Sequence, residues 1–198
     1  MKTSLLFSSF PFIASEKVTL TRMTELDLNA MWEIMGDDDN YRFAPTAALR
    51  SPAECVLKLR QIEALFRDRA AITLGIYPNG EEENRLAGFF EIYGIDPHVQ
   101  AATIRFTLHR ECPGMGYASS AVRATAEYLM STIGVHRIQA YVLPTNYRGV
   151  LVLERCGFLK EGTIREGFLW PDKGIVDLSL YSLLPTDKRK KSGQTHYL

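Results

Sequence analysis

The fold is decided by the stretch Ile104-Arg-Phe-Thr-Leu-His-Arg-Glu-Cys-Pro-Gly-Met-Gly-Tyr-Ala118. Apolar residues alternate with others at its start, which indicates a strand, and two glycines separated by one residue follow. From Tyr117 the sequence favours a helix that runs to about Thr132 and is ended by Gly134. A strand that leads through a glycine turn into a helix is typical of phosphate binding, because the first helical amides and the helix dipole attract an anion.

Two common nucleotide motifs are excluded by the residues that follow this turn. A dinucleotide-binding fingerprint needs a third glycine, and Tyr117 and Ser119 occupy the positions where it would stand. No Gly-Lys-Ser or Gly-Lys-Thr sequence follows either, so the turn is not a P-loop. The glycine pair at 114 and 116 carries little weight alone, because a chain of this length shows roughly one such pair by chance.

The remaining pattern predicts one α/β domain with a mixed sheet. In chain order the predicted elements are a strand over 10–23, helices that begin after Thr24 and Ser51 around an irregular connection over 37–49, three strands between 72 and 108, a helix from Tyr117, a strand over 137–143, a helix after Asn146, and two strands between 164 and 183. The helix starts after Thr24 and Ser51 rest on capping boxes, in which a hydroxyl residue is followed three positions later by a carboxylate.

Composition and charge narrow the classes of partner. Of the 198 residues, 46% are hydrophobic and 23% are charged, which is the balance of a globular protein. Lysine plus arginine and aspartate plus glutamate both number 23, so no excess of positive charge points to nucleic acid or to an anionic membrane. Any polyanion that binds must therefore be small and held by local groups.

Cysteine usage and the lack of targeting signals predict a cytoplasmic protein. Cys55, Cys112 and Cys156 are far apart and form no C-x-x-C pair, which favours free thiols in a reducing compartment. The apolar N-terminal stretch is broken by serine and proline, and no run is long enough to span a membrane. The histidines lack metal-ligand spacing, so no metal is expected.

Over residues 104–184 the sequence resembles the GNAT acyltransferase superfamily, and most of all its ribosomal-protein alanine/serine N-acetyltransferase branch. The residues that carry the resemblance are Ile104-Arg-Phe-Thr-Leu108, Gly114-Met-Gly-Tyr-Ala118, Ile133-Gly-Val-His-Arg-Ile-Gln-Ala-Tyr-Val142, Asn146, Leu153-Glu-Arg-Cys-Gly-Phe-Leu-Lys-Glu-Gly162, Asp177 and Tyr181-Ser-Leu-Leu184. The resemblance implies a single GNAT-type domain whose mixed, mostly antiparallel sheet is splayed at the cofactor site, with helices on both faces. The predicted division is an N-terminal extension (1–14), the acetyltransferase domain (15–185) and a basic C-terminal tail (186–198).

The resemblance also implies acetyl-CoA as the co-substrate. Its pyrophosphate is expected on the amides of the glycine turn, and its pantetheine arm is expected to pair with backbone at the end of the preceding strand. Arg110 and Arg148 are the nearby positive charges. The predicted cofactor-binding residues are Phe106, Thr107, Leu108, Pro113, Gly114, Met115, Gly116, Tyr117, Ala118, Ser119, Asn146 and Arg148.

Three positions depart from the family pattern in ways that bear on catalysis. Glu111 stands where the family has arginine or glutamine, Thr103 replaces a frequent glutamate, and Gly149 replaces a serine. A glutamate at position 111 repels a pyrophosphate beside it unless the side chain points away. The departures favour, as the alternative to an enzyme, a non-catalytic module that binds acyl-CoA.

Acyl transfer needs a neutral amine, so the pKa of the acceptor matters. Neutralising an α-amine of pKa about 7.7–8.0 at pH 7 costs about 1 kcal/mol, against roughly 4–5 kcal/mol for a lysine side chain. With few candidate bases in the sequence, an α-amine is favoured. Glu91 is the first candidate base, Asp177 is the second, and Tyr181 is the candidate acid for the leaving thiolate. A covalent route through Cys112, with His109 as its base, is a less favoured alternative.

The sequence thus predicts an acetyl-CoA-dependent N-acetyltransferase that works by direct attack in a ternary complex. The expected acceptor is the N-terminal α-amine of a protein or peptide. The alternative acceptor is a small-molecule amine, namely an amino sugar, a polyamine or an amino acid. A monomer or homodimer is expected, with neither nucleic acid nor a membrane as partner.

Overall fold

The structure is a computed structural model that describes residues 1–80, 85–112 and 114–187. In chain order its elements are α1 (Thr3–Leu6), β1 (Ile13–Ala14), β2 (Val18–Thr21), a 3-10 turn (Glu25–Asp27), α2 (Leu28–Met35), α3 (Asp38–Tyr41), α4 (Pro52–Arg67), β3 (Ala71–Pro78), β4 (Gly88–Asp96), β5 (Ala101–Leu108), α5 (Tyr117–Glu127), a π-helical turn (Tyr128–Ile133), β6 (Arg137–Val142), α6 (Tyr147–Arg155), β7 (Leu159–Trp170) and β8 (Gly174–Leu183). The strands form one eight-stranded sheet in the order β1-β2-β3-β4-β5-β6-β8-β7. The β5 and β6 strands are parallel and the other described pairs are antiparallel, as predicted.

The sheet carries a hydrophobic core on each face, because successive strand residues point to opposite sides. Phe90 faces α1, α5 and α6, in a core that also buries Ile104 and Val122. Its neighbour Phe89 faces α2 and α4, where it packs in a smaller core with Met31. The prediction of helices on both faces is confirmed.

The prediction of a single entry strand over residues 10–23 is wrong. The segment folds into the hairpin β1–β2, in which Ser15 N donates a hydrogen bond of 2.9 Å to Val18 O. The polar residues at the turn interrupt the alternation, so the chain reverses there. Leu6 and Phe7 are buried in the main core, and Lys2 N donates to Ile133 O at 2.7 Å. Residues 1–14 thus pack as part of the folded unit.

The two predicted capping boxes have different outcomes. At the first, the carboxylate of Asp27 accepts a hydrogen bond of 2.7 Å from Thr24 N, and the cap is confirmed. At the second, the hydroxyl of Ser51 donates to Glu54 Oε1 at 3.0 Å and accepts no helix amide, so the predicted box does not form in full. The connection that the sequence left irregular contains the short helix α3.

The helix after the glycine turn has nearly the predicted length. It is α-helical as α5, continues as the π-helical turn, and ends at Gly134, whose φ of +80° suits a glycine cap. The strands β7 and β8 begin earlier in the chain than predicted, at Leu159 and Gly174. Most of the basic tail, residues 188–198, lies outside the described residues, as does Pro113.

Candidate active site

The strands β5 and β6 run side by side over a short stretch and then separate. Ala101–Thr103 pairs with Arg137–Gln139, and beyond that point β5 keeps its pairing with β4 on one side. On the other side, the described residues of β6 give residues 104–108 no strand partner. Backbone N–H and C=O groups along that edge are therefore available to an amide-rich ligand. The predicted splay of the sheet is confirmed.

A cavity of about 420 Å³ occupies this gap. On the α6 side it is lined by Ile104, Phe106, Ala140, Val142, Asn146 and Gly149. Successive strand residues point to opposite faces of the sheet, so the cavity also has a lining on the opposite side. That side is lined by Phe43, Tyr93, Arg105, Tyr141, Phe168 and Trp170. The cavity thus communicates with both faces of the sheet. The second side includes residues of the segment over 37–50 and of the final strands, where an acceptor pocket is expected from the sequence, and its wall is aromatic.

The glycine turn lies between the end of β5 and the start of α5. Gly114 and Gly116 have φ values of +81° and +82°, in the left-handed region that glycine favours. A Cβ at Gly114 would meet no atom within 4 Å, so the outer surface of the turn is open. Gly116 is the N-cap residue of α5 and has no side chain to accept from the amides of the first turn. The arrangement suits an anionic ligand at this end of the helix.

Asn146 begins α6, as predicted. Its Oδ1 accepts a hydrogen bond of 3.0 Å from Gly149 N, and both residues line the cavity. A Cβ placed on Gly149 would lie 2.8 Å from Asn146 Nδ2. The absence of a side chain at position 149 therefore allows Asn146 to fold back over the helix start.

The charged residues that flank the glycine turn point in different directions. Arg110 forms an ion pair with Asp37, at 3.2 Å, on the chain after α2. The Glu111 side chain is 70% exposed and lies against His109, and Arg148 is exposed on the first turn of α6. Lys17, which the sequence did not single out, reaches the turn from the β1–β2 hairpin and donates to Met115 O at 3.1 Å.

The first candidate base, Glu91, lies on β4 beside the cavity. It forms an ion pair with Arg105 on β5, and the Arg105 guanidinium lies 5.3 Å from the centre of the Tyr93 ring. Arg105 and Tyr93 line the cavity. Burial raises the pKa of the nearby Tyr41 to about 12, and burial lowers the pKa of the Lys58 ammonium, which faces the same pair. Glu91 thus lies in a partly buried, charged cluster behind the cavity wall.

The other two predicted catalytic residues are engaged elsewhere. The exposed Asp177 accepts a hydrogen bond of 2.8 Å from Glu166 N across the β7–β8 hairpin. Tyr181 is 4% exposed, and its hydroxyl donates to Glu154 at 3.3 Å. Burial raises the pKa of Tyr181, and the Glu154 carboxylate adds to the rise. Neither residue lines the cavity.

The Cys112 alternative finds no support in the position of its supposed base. The Nδ1 atom of His109 accepts a hydrogen bond of 3.2 Å from Glu111 N, so it is occupied by backbone. Within the described ranges, no cluster of three or more histidine, cysteine, aspartate or glutamate residues is suited to a metal. No helix in the same ranges is both long and apolar enough to cross a membrane.

A family model described as "Acetyltransferase (GNAT) domain" matches residues 17–159. The chain belongs to the GNAT acetyltransferase family. It is accordingly a GNAT-type N-acetyltransferase, with the strand–glycine turn–helix unit inside the matched region.

Individual GNAT relatives are distant in sequence. The N-acetyltransferase YoaA of Bacillus subtilis is 23% identical over 175 residues, which cover 88% of this chain and 97% of the relative. The ribosomal protein uS5 alanine N-acetyltransferase of Escherichia coli is 24% identical over 152 residues, which cover 72% of this chain and 77% of the relative. The solved spermidine N-acetyltransferase of Vibrio cholerae, in complex with CoA and spermine, has a TM-score of 0.74 at 20% identity, covering 87% of this chain and 98% of that one.

Proposed function

We propose that this GNAT enzyme transfers the acetyl group of acetyl-CoA to the α-amine of a peptide or protein N-terminus. The amine attacks the thioester carbonyl directly while both substrates are bound. The observation that carries the proposal is the cavity in the gap between β5 and β6, which communicates with both faces of the sheet. A donor that binds from one face and an acceptor that binds from the other meet in this gap.

The proposed donor site uses backbone groups more than side-chain charge. The strand edge over Phe106–Leu108 offers hydrogen-bonding groups to the amides of the pantetheine arm. The glycine turn and the start of α5, with Ser119, offer amides and a hydroxyl to the pyrophosphate. Asn146 lies at the cavity wall beside the arm. The Vibrio cholerae relative binds CoA on the same fold, which supports a CoA site here.

The acceptor class is argued from the charge of the cavity wall. Among the described residues that line the cavity, the charged one is the cation Arg105, which is paired with Glu91 behind the wall, and no carboxylate is included. A polyamine carries several positive charges and needs carboxylates to replace its hydration. A peptide N-terminus carries a single amine beside a carbonyl oxygen that can accept from a guanidinium. The wall therefore favours a peptide over a polyamine, in line with the uS5 alanine relative.

A free amino acid is the second candidate acceptor. Its carboxylate matches the planar, two-donor geometry of the Arg105 guanidinium. The same observation thus supports both an amino acid and a peptide, and the two are separated by experiment.

The proposed reaction needs little help from a base to neutralise the acceptor amine. About a tenth of an α-amine of pKa near 8 is neutral at pH 7. The nitrogen attacks the carbonyl carbon, the C–S bond breaks, and CoA leaves as a thiolate that takes up a proton. We assign Glu91 to receive the amine proton through water, because its ion-pair partner Arg105 lines the cavity. Asp177 and Tyr181 have no part in this mechanism.

An acceptor panel tests the proposal. Peptides with free N-termini, the same peptides blocked at the N-terminus, free amino acids and spermidine are each incubated with acetyl-CoA, and thiol release and product mass are measured. We expect α-acetylation of the free peptides and no reaction of the blocked ones. Turnover of spermidine about tenfold above the best peptide contradicts the acceptor assignment. Tight acetyl-CoA binding without turnover of any amine supports the non-catalytic alternative.

A charge placed on the glycine turn tests the donor site. Gly114→Asp adds a carboxylate at an open position with φ +81°, and we expect it to abolish acetyl-CoA binding in calorimetry. Gly174→Asp is the matched control, because Gly174 has φ +72°, is equally open and lies in the β7–β8 turn. Unchanged binding in Gly114→Asp means that the donor site is elsewhere.

A further inference from the structure

We infer that Lys17, on the β1–β2 hairpin, binds the pyrophosphate of acetyl-CoA and supplies a positive charge that the glycine turn itself lacks. The inference rests on the donor site proposed above. Lys17 Nζ donates a hydrogen bond of 3.1 Å to Met115 O, although the two residues are 98 positions apart in the chain. The same nitrogen lies 3.3 Å from the position that a Cβ on Gly116 would occupy. The ammonium is therefore held against the glycine turn.

The Lys17 ammonium keeps donors for a ligand. An ammonium carries three N–H groups, and the Met115 carbonyl accepts from one of them. No carboxylate in residues 1–80, 85–112 and 114–187 forms an ion pair with Lys17. The side chain is exposed, so an anion on the open surface of the turn can reach it.

The chain around the turn creates a need for such a cation. Glu111 adds a negative charge three residues before Gly114 in the chain, and a negative charge in this region disfavours a pyrophosphate. Arg110, the adjacent positive charge, is drawn to Asp37 and Asp39, at 3.2 and 3.9 Å. Lys17, by contrast, contacts the glycine turn through the Met115 carbonyl.

The hairpin that carries Lys17 is fixed to two other elements. The hydroxyls of Ser15 and Ser120 are 2.9 Å apart, which ties the hairpin to the first turn of α5. On the other side, Asn79 Nδ2 donates to Ser15 O at 2.8 Å, and Asn79 N donates to Lys17 O at 2.9 Å. A cation held in place before the ligand arrives loses less conformational entropy on binding. The hydrogen bonds thus preorganise Lys17 at the turn.

Acyl donors with and without phosphate groups test the inference. We compare wild type, Lys17→Met and Lys17→Arg on acetyl-CoA, 3′-dephospho-acetyl-CoA and S-acetyl-pantetheine, with a fixed amine. In Lys17→Met we expect KM to rise about tenfold for both nucleotide donors and to stay unchanged for acetyl-pantetheine. Lys17→Arg keeps the charge and is expected within about threefold of wild type. Lys160→Met removes an exposed lysine from β7 and serves as the control for net charge.

Each other outcome overturns the inference. An equal rise in KM for acetyl-pantetheine means that Lys17 acts through the structure of the turn. A rise that disappears with the dephospho donor assigns Lys17 to the 3′-phosphate and contradicts the pyrophosphate contact. No rise at all removes Lys17 from the site. If Gly114→Asp abolishes binding while Lys17→Met does not weaken it, the donor site stands and the inference about Lys17 alone fails.

Discussion

The side-chain amide of Gln139 donates a hydrogen bond of 3.1 Å to the hydroxyl of Thr103, across the last paired position of β5 and β6. Thr103 is 2% exposed, so this bond is shielded from water. Immediately beyond it the two strands separate and the cavity begins. The Thr103–Gln139 hydrogen bond therefore links β5 and β6 at the point where the gap opens.

Replacing Thr103 by valine keeps the shape of the side chain and removes this hydrogen bond. We expect Thr103→Val to lower the free energy of unfolding by about 1–2 kcal/mol, because the Gln139 amide loses its buried partner. Urea unfolding with a fixed m-value measures the change. Thr163→Val, at an exposed position on β7, is the matched control. Equal stability of the two variants shows that the bond does not hold the strands together.

Asn146 is assigned two roles, a helix cap and a contact to the donor, and a serine separates them. A serine oxygen can still accept from the amide of Gly149, but it has no amide group to offer to the cavity. We expect Asn146→Ser to stay within about 0.5 kcal/mol of wild-type stability and to raise KM for acetyl-CoA about tenfold. Asn146→Ala is expected to raise the KM for acetyl-CoA in the same way and also to lower the free energy of unfolding by about 1 kcal/mol. An unchanged KM in both variants means that Asn146 caps the helix and does not contact the donor.

The parts of this protein that can be predicted from the sequence are those in which the pattern of apolar residues and the backbone preferences of individual residues indicate the same structure. The backbone at positions 114 and 116 has left-handed φ values, which favour glycine, and the helix that follows is amphipathic. The turn and the helix can therefore each be predicted from a few neighbouring residues. The order of strands then gives the mixed sheet. The β1–β2 hairpin, which the sequence pattern does not reveal, has strands too short for alternation to show the reversal at Ser15.

The side chains that meet at the site are set by tertiary packing, and sequence spacing does not show them. Lys17 reaches Met115 only because the hairpin docks on α5, and Arg105 turns towards Glu91 through a cross-strand pairing. Arg110 was predicted to serve the turn by its nearness in sequence. The carboxylate of Asp37, remote in sequence, attracts it instead.

Glu161 links three strands at the edge of the sheet. Its carboxylate accepts from the Arg137 guanidinium at 2.7 Å and from the Ser182 hydroxyl at 2.6 Å. These hydrogen bonds lower the pKa of Glu161 to about 2, from a usual value of 4.5. A folded-state pKa below the unfolded one stabilises the protein above pH 4.5, and this stabilisation is lost as the pH falls towards 2.

We therefore expect Glu161→Gln to cost about 1 kcal/mol of unfolding free energy at pH 7, a value that allows for solvent screening of a partly exposed pair. The difference from wild type should shrink as the pH falls below 4.5. Urea unfolding at several pH values measures it. Glu166→Gln, an exposed carboxylate on the same strand, is the control. A difference that is constant with pH contradicts a role for the Glu161 charge.

The pH dependence of turnover reports the class of acceptor amine. For a peptide α-amine, kcat/KM should rise with pH and level off near pH 9, because the neutral fraction reaches about nine-tenths one unit above the amine pKa. For a lysine side chain the rise should continue to about pH 11. Steady-state rates with one peptide that carries both amines, and with versions blocked at each, provide the measurement. A rise that continues beyond about pH 10 contradicts the α-amine assignment.

Glu91 is the carboxylate to which the mechanism assigns the amine proton, and its amide variant tests that role. Glu91→Gln retains the shape and removes the charge opposite Arg105. We expect kcat to fall about tenfold to a hundredfold with the KM for acetyl-CoA within twofold of wild type, since the proton then leaves to bulk water. Glu63→Gln breaks an ion pair with Arg22 on the exposed side of α4 and controls for the loss of a surface charge.

The pH dependence of the Glu91→Gln deficit distinguishes two roles of Glu91, removal of the amine proton and positioning of Arg105. If Glu91 receives the proton, the deficit of Glu91→Gln should shrink towards high pH, where hydroxide can take the proton that the attacking nitrogen loses. If Glu91 instead holds Arg105 in the cavity wall, the deficit appears as a raised KM for the acceptor and stays constant with pH, and Arg105→Met reproduces it. That second result means that Glu91 does not accept the amine proton and that Arg105 is the residue that binds the acceptor.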